Sequence, residues 1–97
     1  MHPLYYNSYN IETLTRTVPG SLPGSLVIPI EVKSGKTGHL KSLHLFMEES
    51  TVPVAVRIHS GNLYIQEIQR SSGSIFKLIS IPFYLVYRLE EIIDNYI

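Results

Sequence analysis

Ninety-seven residues are enough for one small domain and a single modest core. Eight basic and eight acidic side chains cancel, which excludes a global positive field for nucleic acid; the absence of cysteine excludes disulfides and thiolate metal sites. Hydrophobic residues make up 44% of the chain and charged residues only 16%, so a chain this short has trouble covering its core, and self-association is expected.

Residues 1–25, "MHPLYYNSYNIETLTRTVPGSLPGS", are rich in Tyr, Asn, Ser, Thr, Pro and Gly and carry Glu12 as their one acid. The near-repeat Pro-Gly-Ser-Leu is a turn or linker signal. Ile11 to Val18 alternates weakly, an edge-strand pattern at most, and the segment is expected to be irregular. The first ten residues lack the basic start and apolar stretch of a signal peptide.

From Leu26 the texture changes, and residues 26–97 read as the α/β domain proper. "LVIPIEVK" is an apolar run of strand length between glycines. Pro29 cannot donate to a ladder and favours an edge or a strand start. From Ile30 the pattern alternates, placing Ile30 and Val32 on one face and Glu31 and Lys33 on the other. Residues 37–49 read as a helix, with Thr37 as N-cap and Leu40, Leu43, Phe46 and Met47 as its apolar stripe. "VPVAVRIHS" is a second strand, Ser60-Gly61-Asn62 a turn, "LYIQEIQ" a third strand and "RSSGS" another turn. "IFKLISI" is a short strand or extended approach. "PFYLVYRLEEIIDNY" reads as a C-terminal helix, with Pro82 in its first turn and Leu85, Leu89, Ile92 and Tyr96 along one side, Val86 and Ile93 beside them. The expected order is strand, helix, strand, strand, helix, with a crossover between the first two strands. No apolar run reaches the ~20 residues of a membrane span. No membrane contact is expected, and the predicted compartment is the cytoplasm.

Two motifs overlap in "IPIEVKSGKTG". Gly35-Lys36-Thr37 has the ending of a phosphate-binding loop, but that loop needs a glycine five residues before Gly35, where Ile30 stands. A β-branched side chain there blocks the backbone from closing around phosphates, so no nucleotide is expected, and Gly35 and Gly38 are read as a strand-to-helix turn. Glu31-Val32-Lys33 is the second motif. In a strand its two charges point to one face, ~6–7 Å apart along the chain. A carboxylate so placed can ligate Mg²⁺ while the ammonium stabilises charge or orients water. An apolar run ending in Glu-Val-Lys-Ser-Gly is the second half of the PD-(D/E)xK nuclease signature. Alternating charges on a solvated strand face give the same local pattern.

"IPIEVKSGKTGHLKSLHLFMEES", followed by "VPVAVRI" and "KLISIPFYLVYRLEEII", resembles a bacterial and archaeal domain of unknown function found at the C-terminus of AAA-type ATPases, itself similar to the restriction-endonuclease-like fold. The resemblance covers roughly residues 26–97 and implies that Glu31 and Lys33 occupy the Glu-x-Lys positions. The family's metal-binding Asp lies on the strand before that one. Here the chain's one Asp is Asp94, near the C-terminus, and the one carboxylate upstream of Glu31 is Glu12. The beginning is therefore divergent, truncated or frameshifted relative to the family, and the ATPase module is absent from the sequence.

Other sites are weaker. His39 and His44 lie five apart, diverging by roughly 140° on a helix, and cannot clamp one metal. His2 and His59 are isolated, no Gly-x-Ser-x-Gly elbow is present, and Ser34 beside Lys33 is turn chemistry. Lys33, Lys36, His39 and Lys41 cluster at the strand-to-helix turn, the best place for a phosphate-backbone contact. Tyr84, Tyr87 and Tyr96 belong to the core or an interface. The favoured expectation is a non-catalytic interaction or accessory domain on a partial restriction-endonuclease-like core, with Glu31 and Lys33 vestigial and no cofactor. The alternative is a Mg²⁺-dependent nuclease or DNA-binding domain, with Glu31 as metal ligand and Glu12 or a second chain completing the site. Lacking its first strands, the Glu31 strand is expected to expose an edge through which the chain forms a homo-oligomer.

Overall fold

The structure is a computed structural model and describes residues 11–17, 24–33 and 41–97. Thr37, the expected N-cap, and the turn at Gly35 and Gly38 lie outside these residues. The architecture is mixed α/β. The strands are β1 (Glu12–Thr17), β2 (Ser25–Val32), β3 (Val54–His59), β4 (Tyr64–Gln69) and β5 (Ile75–Pro82). The helices are α1 (Lys41–Glu48), a 3-10 segment (Phe83–Arg88) and α2 (Leu89–Asp94). The five strands form one sheet in the order β1-β2-β3-β5-β4. β2, β3 and β5 are parallel, while β1 and β4 run antiparallel on the two outer sides.

β3 and β5 read as apolar on both faces, as central strands of a covered sheet must. On one face Ile28, Val54, Val56, Ile58, Ile79 and Ile81 pack with Leu89 and Ile93 of α2. On the other, Ala55, Phe76 and Leu78 pack with Leu43 and Met47 of α1. The result is three layers, helix on sheet on helix. Of the helical stripe read from the sequence, Leu43 and Met47 are buried and Phe46 packs against them, while Leu40 lies outside the described residues; Leu85, Val86, Ile92 and Tyr96 close around the α2 side.

Three expectations change. Glu12–Thr17, within a segment expected to be irregular but read as a weak edge-strand pattern, is an outer strand paired with β2 from Glu12↔Ile30 to Thr17↔Ser25. The Glu31 strand is consequently covered over residues 25–30, and the outer strands of the sheet are β1 and β4. "IFKLISI" is a strand, the first of the two readings offered for it, but a full eight-residue one between β3 and β4; it ends in Pro82, expected in the first turn of the helix and here a strand residue. The C-terminal segment begins as a 3-10 helix rather than an α-helix. A threefold period sets Val86 in line with buried Leu89 and stacks Tyr84 and Tyr87 outward.

Arg70 locks the corner between α1 and β4. It is buried, its Nε donates to the Met47 carbonyl at 2.6 Å, Nη2 donates to the Val52 carbonyl and Nη1 to Ser74 Oγ at 3.1 Å. It thereby satisfies a carbonyl at the C-terminal end of α1, where the helix dipole favours a cation. Its guanidinium also lies 5.0 Å from the Phe76 ring centre. The Arg70–Gly73 turn that places it closes with Gly73 N–H on the Arg70 carbonyl at 2.9 Å, and Gly73 takes φ +100°, a conformation glycine adopts without strain. Replacing Arg70 with Lys keeps the charge but loses the fork. Chemical denaturation is expected to show a loss on the order of 2–3 kcal/mol for Arg70→Lys.

β1 is tied to α2 by charge. Arg16 Nε donates to Asp94 Oδ1 at 2.7 Å, Nη2 donates to the other Asp94 oxygen, and Nη1 reaches Glu90 Oε1 at 3.2 Å. The hydrogen bonds from Arg16 hold the Asp94 carboxyl below its ordinary value. A carboxyl lowered in the folded state contributes stability fully above its unfolded value of about 3.9 and loses it as pH falls through the lower folded value. Asp94→Asn removes this component. Wild type and variant stabilities, measured by denaturation from pH 6 downward, should differ least at the acid end, and high salt should shrink the difference.

Candidate functional site

The chemistry-bearing residues converge where the parallel strands end. Register fixes the arrangement: Glu31 of β2 sits opposite Arg57 of β3, Arg57 opposite Ser80 of β5, and Ser80 opposite Tyr64 of β4. Four side chains thus form one polar row across four strands, on the face that carries α1. The next positions along the same face are Lys33 and His59. In sheets with parallel strands, ligands are bound at the carboxyl ends, where this row lies.

Arg57 is the centre of the row and is half-buried. Its Nε and Nη2 donate to Ser80 Oγ at 3.2 and 2.9 Å, and Nη2 also donates to the Tyr64 hydroxyl. Ser80 is fully buried. The Tyr64 ring centre lies 5.8 Å from the guanidinium carbon. Among the described residues no carboxylate forms an ion pair with Arg57. Neutral hydroxyls therefore orient the charge without neutralising it.

His59 closes one end of the row. Its Nε2 donates to the Asn62 carbonyl at 2.8 Å, and its ring meets Tyr64 edge-on at 5.8 Å. The Gly61 turn makes room for it: a Cβ there would lie 2.8 Å from His59 Cε1.

Glu31 is engaged with the scaffold. Its Oε1 accepts the backbone N–H of Leu43, in the first turn of α1, at 3.0 Å. A carboxylate there satisfies one of the amides a helix leaves open at its start and complements the dipole. Lys33 follows it along the same face, and its backbone N–H donates to the Ile58 carbonyl at 2.8 Å, continuing the β2–β3 ladder.

Glu12 pairs with Ile30, one position out of phase with Glu31, so it faces the α2 side and cannot complete a site with Glu31. Ile11, just before β1, is buried. Asp94 is engaged with Arg16 on the opposite face. Among the described residues no group of three His, Asp or Glu side chains is arranged to hold a metal ion. Glu31 is the one carboxylate of the polar row, and its Oε1 is drawn to the Leu43 amide. Lys36 and His39 lie outside the described residues, as does the side chain of Lys41, so of the anion cluster read from the sequence only Lys33 is placed here.

Sequence reading missed Arg57, Ser80 and Tyr64. The signal was present: Val-Arg-Ile-His carries polar residues at alternate positions, and Ile-Ser-Ile-Pro a single serine, in otherwise apolar strands. No helix among the described residues is long and apolar enough to cross a membrane. No family model, curated protein or solved structure matches the chain.

The Glu31 contact has a direct test. Glu31→Gln keeps an acceptor for the Leu43 amide, whereas Glu31→Ala leaves that part-buried donor unmet. Thermal or chemical denaturation should show the Ala variant less stable by about 1–2 kcal/mol and the Gln variant close to wild type.

Proposed function

We propose that this chain is a non-catalytic interaction domain on a nuclease-like sheet, and that its polar row grips an anionic oxygen group of a partner without a metal. The observation that carries this reading is the Arg57 guanidinium, oriented by Ser80 and Tyr64 and left without a carboxylate partner among the described residues. With Nε and Nη2 held by Ser80 and Tyr64, the guanidinium is oriented to present its Nη1 side to phosphate or carboxylate. Lys33, on the same face, adds a second positive charge.

The kinship with a restriction-endonuclease-like core is supported by connectivity. An antiparallel strand precedes the Glu-x-Lys strand, a helix follows it, and the next strand returns parallel. The family carries its metal-binding Asp on the strand before the Glu-x-Lys strand; the strand before it here, β1, carries Glu12 as its one carboxylate, paired with Ile30 and so on the other face. Glu31 itself serves α1. Ancestry and present use separate here: the strand is kept while its carboxylate caps a helix.

Inorganic phosphate is the simplest probe. Titrated into isotope-labelled protein, it is expected to shift the Arg57 Nε–H and the Lys33 amide, and Arg57→Gln should abolish both shifts. Plasmid DNA incubated with the protein and Mg²⁺ or Mn²⁺ should stay intact. Cleavage lost in Glu31→Ala would overturn the non-catalytic reading, and phosphate shifts that persist in Arg57→Gln would remove Arg57 from the site.

A further inference from the structure

We infer that β4 is a homodimerisation edge, pairing antiparallel with β4 of a second copy to join two five-stranded sheets. Among the described residues, β4 is hydrogen-bonded to β5 on one side and to no strand on the other. Both its flanking turns lie within the described residues. Sheet edges are ordinarily protected by Lys, Pro, a bulge or a covering element. β4, "YIQEIQ", has neither Lys nor Pro, pairs with β5 in unbroken register over all six residues, and carries one charge, Glu67, already bonded to Lys77 at 3.0 Å. Leu63, Tyr64 and Ile75 are exposed along this border.

The register follows from the backbone. Arg70 N–H donates to the Ser74 carbonyl, so position 70 faces β5. Alternation then turns the N–H and C=O of Gln66 and Ile68 toward β5 and those of Ile65, Glu67 and Gln69 outward. A two-fold axis normal to the sheet pairs only residues of one face, so the pairing is centred on a residue rather than between two. Two registers keep most of the strand paired. Centring on Glu67 sets that carboxylate against its own copy, a destabilising like-charge pair. Centring on Gln66 sets Gln66 against Gln66, Ile65 against Glu67 and Tyr64 against Ile68, with no like charges opposed. Ile65 and Glu67 then exchange their outward hydrogen bonds across the interface. Gln66 occupies the non-hydrogen-bonded position on the axis, where the two Cα atoms approach to about 4.5 Å.

The chain has no cysteine, so single-cysteine variants read this register without background. A Cα separation of about 4.5 Å lies within disulfide range. Gln66→Cys should form a disulfide-linked dimer on mild oxidation. In Gln69→Cys the two positions are six residues apart along the paired strands, about 20 Å, and the chain should stay uncrosslinked. Sedimentation should give wild type twice the monomer mass. Glu67→Pro should halve that mass while leaving the circular dichroism unchanged, because it removes an N–H that β5 does not use. A wild-type monomer at high micromolar concentration overturns the proposal and leaves the edge to a strand of another protein. A dimer that links equally well through both cysteine positions, or that survives Glu67→Pro, also overturns it, since the two copies then meet elsewhere.

Discussion

β3 and β5 are apolar on both faces, and the rest of the fold answers to that constraint. A sheet whose middle strands bury both sides needs a helix on each. α2 follows β5 directly and covers one side. α1 has to be brought back over the other by the crossover between β2 and β3, and it is fixed there at both ends. Glu31 holds its first turn through the Leu43 amide, and Arg70 holds its end through the Met47 carbonyl. Leu43 and Met47, the residues that seal this face, lie between those anchors.

The polar row is a consequence of the same geometry. Ala55 and Leu78 are buried under α1, and one step further toward the strand ends the same face carries Arg57 and Ser80. The guanidinium is half-buried there without being sealed. That setting strengthens its pull on an anion relative to a freely solvated arginine. The sheet thus supplies a pre-oriented cation at the edge of its core, while the carboxylate of the motif is drawn to the helix.

Much of this was legible from local pattern. β2, β3 and β4, the α1 residues Leu43, Phe46 and Met47, and the turns at Gly61 and Gly73 follow from alternation, helical spacing and turn residues. β1 showed only as a weak edge-strand pattern, because Thr13, Thr15 and Thr17 alternate with Leu14 and Arg16 to give almost no apolar contrast, and its strand state depends on pairing with β2. β5 was underestimated because its central place comes from contacts with β3 and β4, which sequence proximity does not reveal. The Arg57–Ser80–Tyr64 row depends on the register of three strands, and one residue of slip would scatter it. Arg70 was hidden because arginine is rarely buried, and only the carbonyls of Met47 and Val52 explain its place. The Glu-x-Lys motif was found at once, yet the role of its carboxylate was visible only when Leu43 appeared beside it.

The central claim is that Glu31 belongs to the scaffold, and amide hydrogen exchange of Leu43 tests it most directly. In wild type the Leu43 amide should exchange slowly. In Glu31→Ala it should exchange markedly faster while the amides of β3 and β5 keep their protection, and in Glu31→Gln it should stay close to wild type. Leu43 exchange unchanged in Glu31→Ala would contradict the account, because the carboxylate would then be doing something other than holding the helix.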